Sequence, residues 1–186
     1  MNRFSERDWL TALVSDPARK GFQDDIQAAE SQIGIYLEVQ RAREKSAQNH
    51  EYADIYWISR SSIVTSFSAL DRLVHAILAS HLNQSQFEKI RYRTFQSSNQ
   101  IDKAMHLIGF QDIFEHAAKH YSKDFVASDR LRELLDSYYF RKNRITHHAD
   151  TDSNGNRLEL SLGYANECCK FVSEFGMALH TVSFST

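Results

Sequence analysis

Hydrophobic residues recur most regularly between Tyr52 and Leu82, where Ile63, Phe67, Leu70, Val74 and Ile77 follow at alternating steps of four and three. That is the period of one helix face turned toward a core, and it predicts a long buried helix over this stretch. Upstream, a short helix is expected around Glu6 to Val14. The Ser15-Asp16-Pro17 turn signal should end it, because proline lacks an amide hydrogen and crowds the preceding turn. A long, mostly polar helical pattern follows from Arg19 to about Ser46, with Ile26, Ile33, Tyr36, Leu37 and Val39 as its apolar positions.

Downstream of Leu82 the pattern shortens. Asn83 to Ser98 reads as a connector holding the basic–aromatic run Lys89-Ile90-Arg91-Tyr92-Arg93-Thr94-Phe95. Ser97 with Gln100 forms a candidate capping box, opening a short helix that Gly109 would close. Gln111 to Tyr121 predicts another short helix. Ser128 or Asp129 would cap a further one, with Leu131, Leu134, Leu135, Tyr138 and Ile145 as its stripe. Asp150 to Asn156 is a turn cluster. Leu158 to Leu162 alternates too briefly to imply a sheet. A last helix is expected from Tyr164 to about Val182, burying Tyr164, Cys168, Phe171, Phe175 and Val182.

Composition changes this picture little. One proline and six glycines leave few points that force a turn, which favours long helices. The expected fold is all-α, a single antiparallel helical bundle over residues 1–186. A formal net charge of −2 excludes an extended basic face, so any nucleic-acid contact must be local. The two cysteines, Cys168 and Cys169, are adjacent and have no other cysteine to pair with, which excludes a disulfide scaffold. Met1 to Lys20 holds no signal-like apolar run, and no stretch is expected to approach the ~18–20 apolar residues of a membrane span. A reducing cytoplasm is therefore the expected compartment.

Arg141-Lys142-Asn143-Arg144-Ile145-Thr146-His147-His148 is the stretch with chemistry in it. A histidine accepts and returns protons near neutral pH. Arginine keeps its charge, and its forked donors match phosphate oxygens. Together they suit phosphoryl transfer on RNA, whose 2′-hydroxyl is already the nucleophile. No metal or other cofactor is required. At about 100° per residue, however, Arg141 and His147 lie roughly 120° apart around one helix. Either the helix end is distorted, or two helices in a symmetric dimer share one cleft. Asn143 shares a face with His147 and could orient its imidazole, while His148 is aligned with Arg141. The bland alternative is a solvated helix end, whose cations favour the C-terminal dipole.

An arginine, a spacer of four to six residues and then a histidine near the end of a late helix mark the HEPN superfamily. Arg141 and His147, with five residues between them, resemble that motif. Arg144 is too close to either histidine to complete it and would support the site. Arg60 to His75, including Asp71, resembles the early helix of the RiboL-PSP HEPN family. Phe95 to Ile101 with Ile108-Gly109 resembles its middle segment, and Asn143 to Asp150 resembles the motif with its trailing Asp. The likeness spans roughly two-thirds of the chain, from Arg60 to Val182.

The resemblance implies a bundle that dimerises, a metal-independent endoribonuclease, and a place in toxin–antitoxin or phage-defence systems with an antitoxin protein as partner. His147 would be the acid–base group and Arg141 the stabiliser of charge on phosphorus, with Asn143 and Asp71 orienting them. Two positions depart from the family. Lys142 stands where many members carry an uncharged polar or acidic residue, and Ala149 stands where members modified by a nucleotidyltransferase antitoxin carry tyrosine.

Other signals have plainer readings beside the functional one. Asp71 could instead be a half-buried acid paired with Arg72 or Arg141. His116 and His120 have zinc-compatible spacing but no evident third ligand, which fits exposed helix histidines. Lys142, Arg91 and Arg93 could hold RNA phosphates, or the connector could simply turn its aromatics inward. The rival to a nuclease is a non-catalytic helical module that binds nucleotide, RNA or a partner protein. A purely structural dimer is the third reading.

Overall fold

The computed structural model describes residues 6–45, 53–121, 126–147, 150–156 and 158–184. Seven helices occur among them: α1 (Glu6–Lys45), α2 (Ala53–His81), α3 (Gln84–Glu88), α4 (Ser98–His106), α5 (Ile113–Tyr121), α6 (Ser128–His147) and α7 (Leu162–Phe184). The all-helical expectation therefore holds.

Helix α2 is the spine. Ile63, Phe67, Leu70, Val74 and Ile77 are all fully buried, as their spacing requires. It lies antiparallel to α1, with Ser62 Oγ 3.5 Å from Gln32 Oε1 and Arg72 ion-paired to Asp25. It runs parallel to α7, with Cys169 Sγ 3.7 Å from the Ser62 carbonyl and the His81 ring 5.8 Å from that of Phe184. Helix α5 crosses back over α7, stacking Phe114 on Phe175 and setting Tyr121 against Phe171. By length and composition Ile55–His81 does pass for a membrane span, contrary to expectation, with a mean hydropathy of 1.3. It is instead a core helix, with 56% of its apolar window buried among its neighbours.

Where α1 meets α7, the helices touch almost backbone to ring. A Cβ on Gly176 would lie 2.2 Å from Phe22 Cζ, and the Phe22 ring is itself buried. Only glycine admits that approach. A second tie lies further up α1. His180 Nε2 is 3.1 Å from the Ser15 carbonyl and 3.0 Å from Ser15 Oγ. That tie accounts for a failed expectation: α1 does not stop at Ser15-Asp16-Pro17 but runs through Pro17 as one helix. Proline removes one amide donor, and tertiary contact on both sides of it holds the chain helical. Leu37 and Val39, expected to be apolar contact positions of α1, are instead exposed, while Ile26, Ile33 and Tyr36 are buried.

The shorter helices follow local chemistry. Ser97 and Gln100 form the expected capping box, and Gly109 adopts φ 95° after α4. A second box, Asn83 with Gln86, opens α3, a turn of helix inside the presumed connector. Helix α6 begins at Ser128, so neither Ser128 nor Asp129 sits in the cap position. Cys168 and Cys169 are buried core residues. Burial pushes both thiols up, Cys169 to about 11, so they stay protonated and inert.

Two outcomes follow from the α1–α7 seam. Gly176→Ala overpacks Phe22 and should lower stability by about 1–3 kcal/mol in urea unfolding, despite alanine's better helix propensity. Burial holds His180 below its ordinary pKa, so the folded state favours the neutral ring. Its contribution is present above the unfolded value and is lost as pH falls through and below about 6.5. Unfolding midpoints measured from pH 7.5 to 5.5 should therefore fall more steeply for the wild type than for His180→Gln.

Candidate functional site

Helix α6 turns Leu131, Leu135 and Ile145 fully inward, with Leu134 and Tyr138 half-buried beside them. Lys142 continues this stripe two turns beyond Leu135, Arg141 lies at its edge, and Asn143 and His147 lie on the outer face. The chain leaves the helix through Asp150, at φ 52°, a left-handed conformation that Asp and Asn tolerate better than most residues. Asp150 N donates to the Arg144 carbonyl at 3.1 Å, and its own carbonyl accepts from Leu158 N at 2.7 Å. Beyond it, residues 152–156 close a tight turn. Asp152 Oδ1 accepts from the Asn154 and Asn156 amides, and Gly155 supplies the positive φ. Hydrogen bonds from Asn156 and Asn154 hold the Asp152 carboxyl below the usual carboxylate range.

Arg141 is gripped by this turn. Its Nη2 donates to Asp150 Oδ2 and to the Glu159 carbonyl, both at 2.8 Å. Asp150 is fully buried and the Arg141 side chain is 21% exposed. Arg141 Nε and Asp150 Oδ1 are also buried, and neither has a partner among the described residues. Arg144 reaches over the same turn to the Thr151 carbonyl. The image of a loose, solvated helix end is therefore wrong for both arginines. They are fixed to the turn that follows them.

His147 is exposed at the last turn of α6, and Asn143 is half-buried one turn before it. Phe140, also on this outer face, is 65% exposed. The helix stays regular to His147, so no distorted end brings Arg141 and His147 onto one face. Of the two geometric solutions, a distorted helix end is not what this helix offers. His148, aligned with Arg141 in the sequence, lies outside the described residues, as does Ala149.

Lys142 belongs to a different cluster. Its Nζ donates to Gln96 Oε1 at 2.8 Å and lies 5.9 Å from the Tyr139 ring centroid. Burial lowers its pKa, and the charge of Asp71 opposes that shift. Asp71 pairs with neither of its expected partners, since Arg72 holds Asp25 and Arg141 holds Asp150. Instead Asp71 Oδ1 accepts from Phe95 N at 2.5 Å, pinning the end of the connector to α2. Its reach to the site is thus through Lys142 and not through Arg141. His75 completes the cluster, its Nδ1 donating to the Asp71 carbonyl at 2.9 Å and its ring 4.9 Å from Phe95.

Arg91 and Arg93 lie exposed on the connector, and Arg91 pairs with Glu88. His116 and His120 are both exposed on α5, and among the described residues no group of three metal-ligating side chains forms. Sequence reasoning missed Gln96 and the Glu159 carbonyl. The carbonyl has no sequence signal, and Gln96 is one amide among many. Asp150 was visible only as the Asp trailing the motif.

Set beside known protein families, curated proteins and solved structures, the chain matches none. The likeness to HEPN proteins therefore rests on the motif residues alone.

Breaking the Arg141–Asp150 pair leaves a buried charge without its partner. Asp150→Ala should cost about 3 kcal/mol, the low end for such a pair because Arg141 keeps the Glu159 carbonyl. Asp150→Asn keeps the left-handed backbone and a hydrogen-bond acceptor, so it should cost clearly less in the same urea unfolding series.

Proposed function

We infer that the protein is a metal-independent endoribonuclease of the HEPN type, acting as a homodimer in the cytoplasm as a toxin or phage-defence effector. The observation that carries the reading is the outer face of α6. An exposed His147 and a half-buried Asn143 sit one turn apart there, while the neighbouring Arg141 is held rigid on a buried carboxylate. A group that moves protons needs exposure to substrate, and a group that stabilises charge gains from being fixed beforehand.

In this reading His147 takes the proton from a 2′-hydroxyl, whose oxygen then attacks the adjacent phosphorus. The 5′-oxygen leaves with a proton returned by a histidine, and the products are a 2′,3′-cyclic phosphate and a 5′-hydroxyl. Arg141 presents its Nη1 N–H groups to the phosphorane oxygens, its Nη2 being used on Asp150 and Glu159 and its Nε buried. Asn143 orients the His147 ring. Because Arg141 and His147 of one chain face different ways, the second copy completes each site, and exposed Phe140 on the His147 face supplies apolar surface for that contact.

One observation favours a second reading. Arg141 Nη2 is already committed to Asp150 and Glu159, as a purely architectural arginine would be. A non-catalytic module that binds nucleotide, RNA or an antitoxin protein is the form this takes. It predicts no cleavage of any RNA, with an affinity that falls in Arg141→Ala.

The nuclease reading predicts cleavage of RNA in EDTA, with His147→Ala slower by about 10²–10⁴-fold. A requirement for Mg²⁺, or full activity in His147→Ala, contradicts it.

A further inference from the structure

The connector between α3 and α4 is built to hold one aromatic ring out in solvent. Ile90 and Phe95 are its buried feet, each about one-twentieth exposed, whereas Tyr92 between them is 85% exposed. The turn is braced and not loose. The Phe87 carbonyl accepts from Ile90 N and Arg91 N at 2.9 and 3.0 Å, and Arg93 N donates to the Ile90 carbonyl at 2.8 Å. Asp71 then fixes Phe95 N, and Lys142 fixes Gln96. The expectation that the aromatics turn inward is thus met by Phe95 and refused by Tyr92.

Cations surround that ring. Arg91 Cζ lies 4.6 Å from the Tyr92 centroid, steadied by Glu88 at 2.6 Å. Lys89 and Arg93 are exposed, and neither has an ion-pair partner among the described residues. The segment 89–93 therefore offers three cations and one exposed π-face, with Glu88 paired to Arg91 and Asp71 held on the Phe95 amide.

Its position relates it to α6. Phe67 of α2 lies beside Tyr139 of α6, and Asp71 acts on Lys142. The next turn of α2 carries His75, whose ring lies against Phe87 and Phe95 of the connector. The connector is thus tied to α6 through Gln96 and Lys142.

We propose that Tyr92, with Arg91 and Arg93, is a binding platform for single-stranded RNA, tied to α6 through Gln96 and Lys142. It deepens the nuclease reading and rests on it only for what becomes of the strand. The chemistry selects the ligand. Cations alone would suit any polyanion, but a preset aromatic face is matched by an unstacked base, which a duplex keeps inside its stack. An acidic peptide or an anionic membrane offers charge without that planar partner.

The test uses the full chain carrying His147→Ala, so that bound RNA stays uncut, and reads anisotropy of a fluorescein-labelled single strand of about 12 nucleotides. Adding Tyr92→Ala should weaken binding about tenfold or more, with Tyr92→Phe keeping most of the affinity. Replacing Arg91 and Arg93 by alanine should flatten the salt dependence by about one phosphate contact or more. Circular dichroism should be unchanged, since all three side chains are exposed. Unaltered affinity in Tyr92→Ala would overturn the platform. So would an equal loss on a blunt duplex of the same length, or binding to phosphatidylserine vesicles but not to RNA. An RNA that binds through Tyr92 yet is never cut by the wild type refutes the nuclease and leaves the platform. A wild type that cuts while Tyr92→Ala binds normally refutes the platform alone.

Discussion

The ion pair between Arg141 and Asp150 organises the end of the molecule where chemistry is possible. A fully buried carboxylate cannot stay charged without a partner, and the arginine beside it cannot leave without stranding that charge. The pair therefore fixes several things together. It holds the guanidinium in one pose, places Asp150 where its amide closes the end of α6, and brings the Glu159 strand of chain back to the helix. His147, with no such anchor among the described residues, is exposed on the outer face.

That arrangement depends on a frame supplied by the rest of the bundle. Helix α2 presents its four–three stripe to α1 and α7, and the Gly176–Phe22 approach draws α1 onto α7 until ring meets backbone. Helix α6 docks through Leu131, Leu135 and Ile145, which sets its rotation. With that rotation set, Arg141 falls toward the turn after the helix, Lys142 toward Gln96 and Asp71, and His147 toward solvent. Core packing thus decides which cations are tied down and which group remains free for a ligand.

Periodicity revealed the helices because burial selects residues every three or four positions, as Ile63 to Ile77 demonstrate. The capping box at Ser97 was equally legible, since both partners lie within four residues. The course of α1 through Pro17 was not, because the contact that outweighs the missing amide comes from His180, far along the chain. At the site, Arg141 was singled out by its spacing to His147, but its ion-pair partner was not legible. Asp150 stood out only as the Asp trailing the motif in a polar turn, and only the fold shows it buried on Arg141. Asp71 misled for the same reason: its neighbour in sequence, Arg72, points to α1, and its true partner is a backbone amide.

In the nuclease reading proposed above, the regular helix between Arg141 and His147 means that one chain would carry half of an active site and a second copy would supply the rest. Mixing two silent variants tests this most directly. Arg141→Lys and His147→Ala, each inactive on RNA alone, are unfolded together, refolded together and assayed in EDTA. If Arg141 of one chain works with His147 of the other, random pairing leaves one intact site in half of the dimers, and about a quarter of wild-type activity returns. A mixture that stays as silent as its components, while each variant still dimerises, would contradict the account.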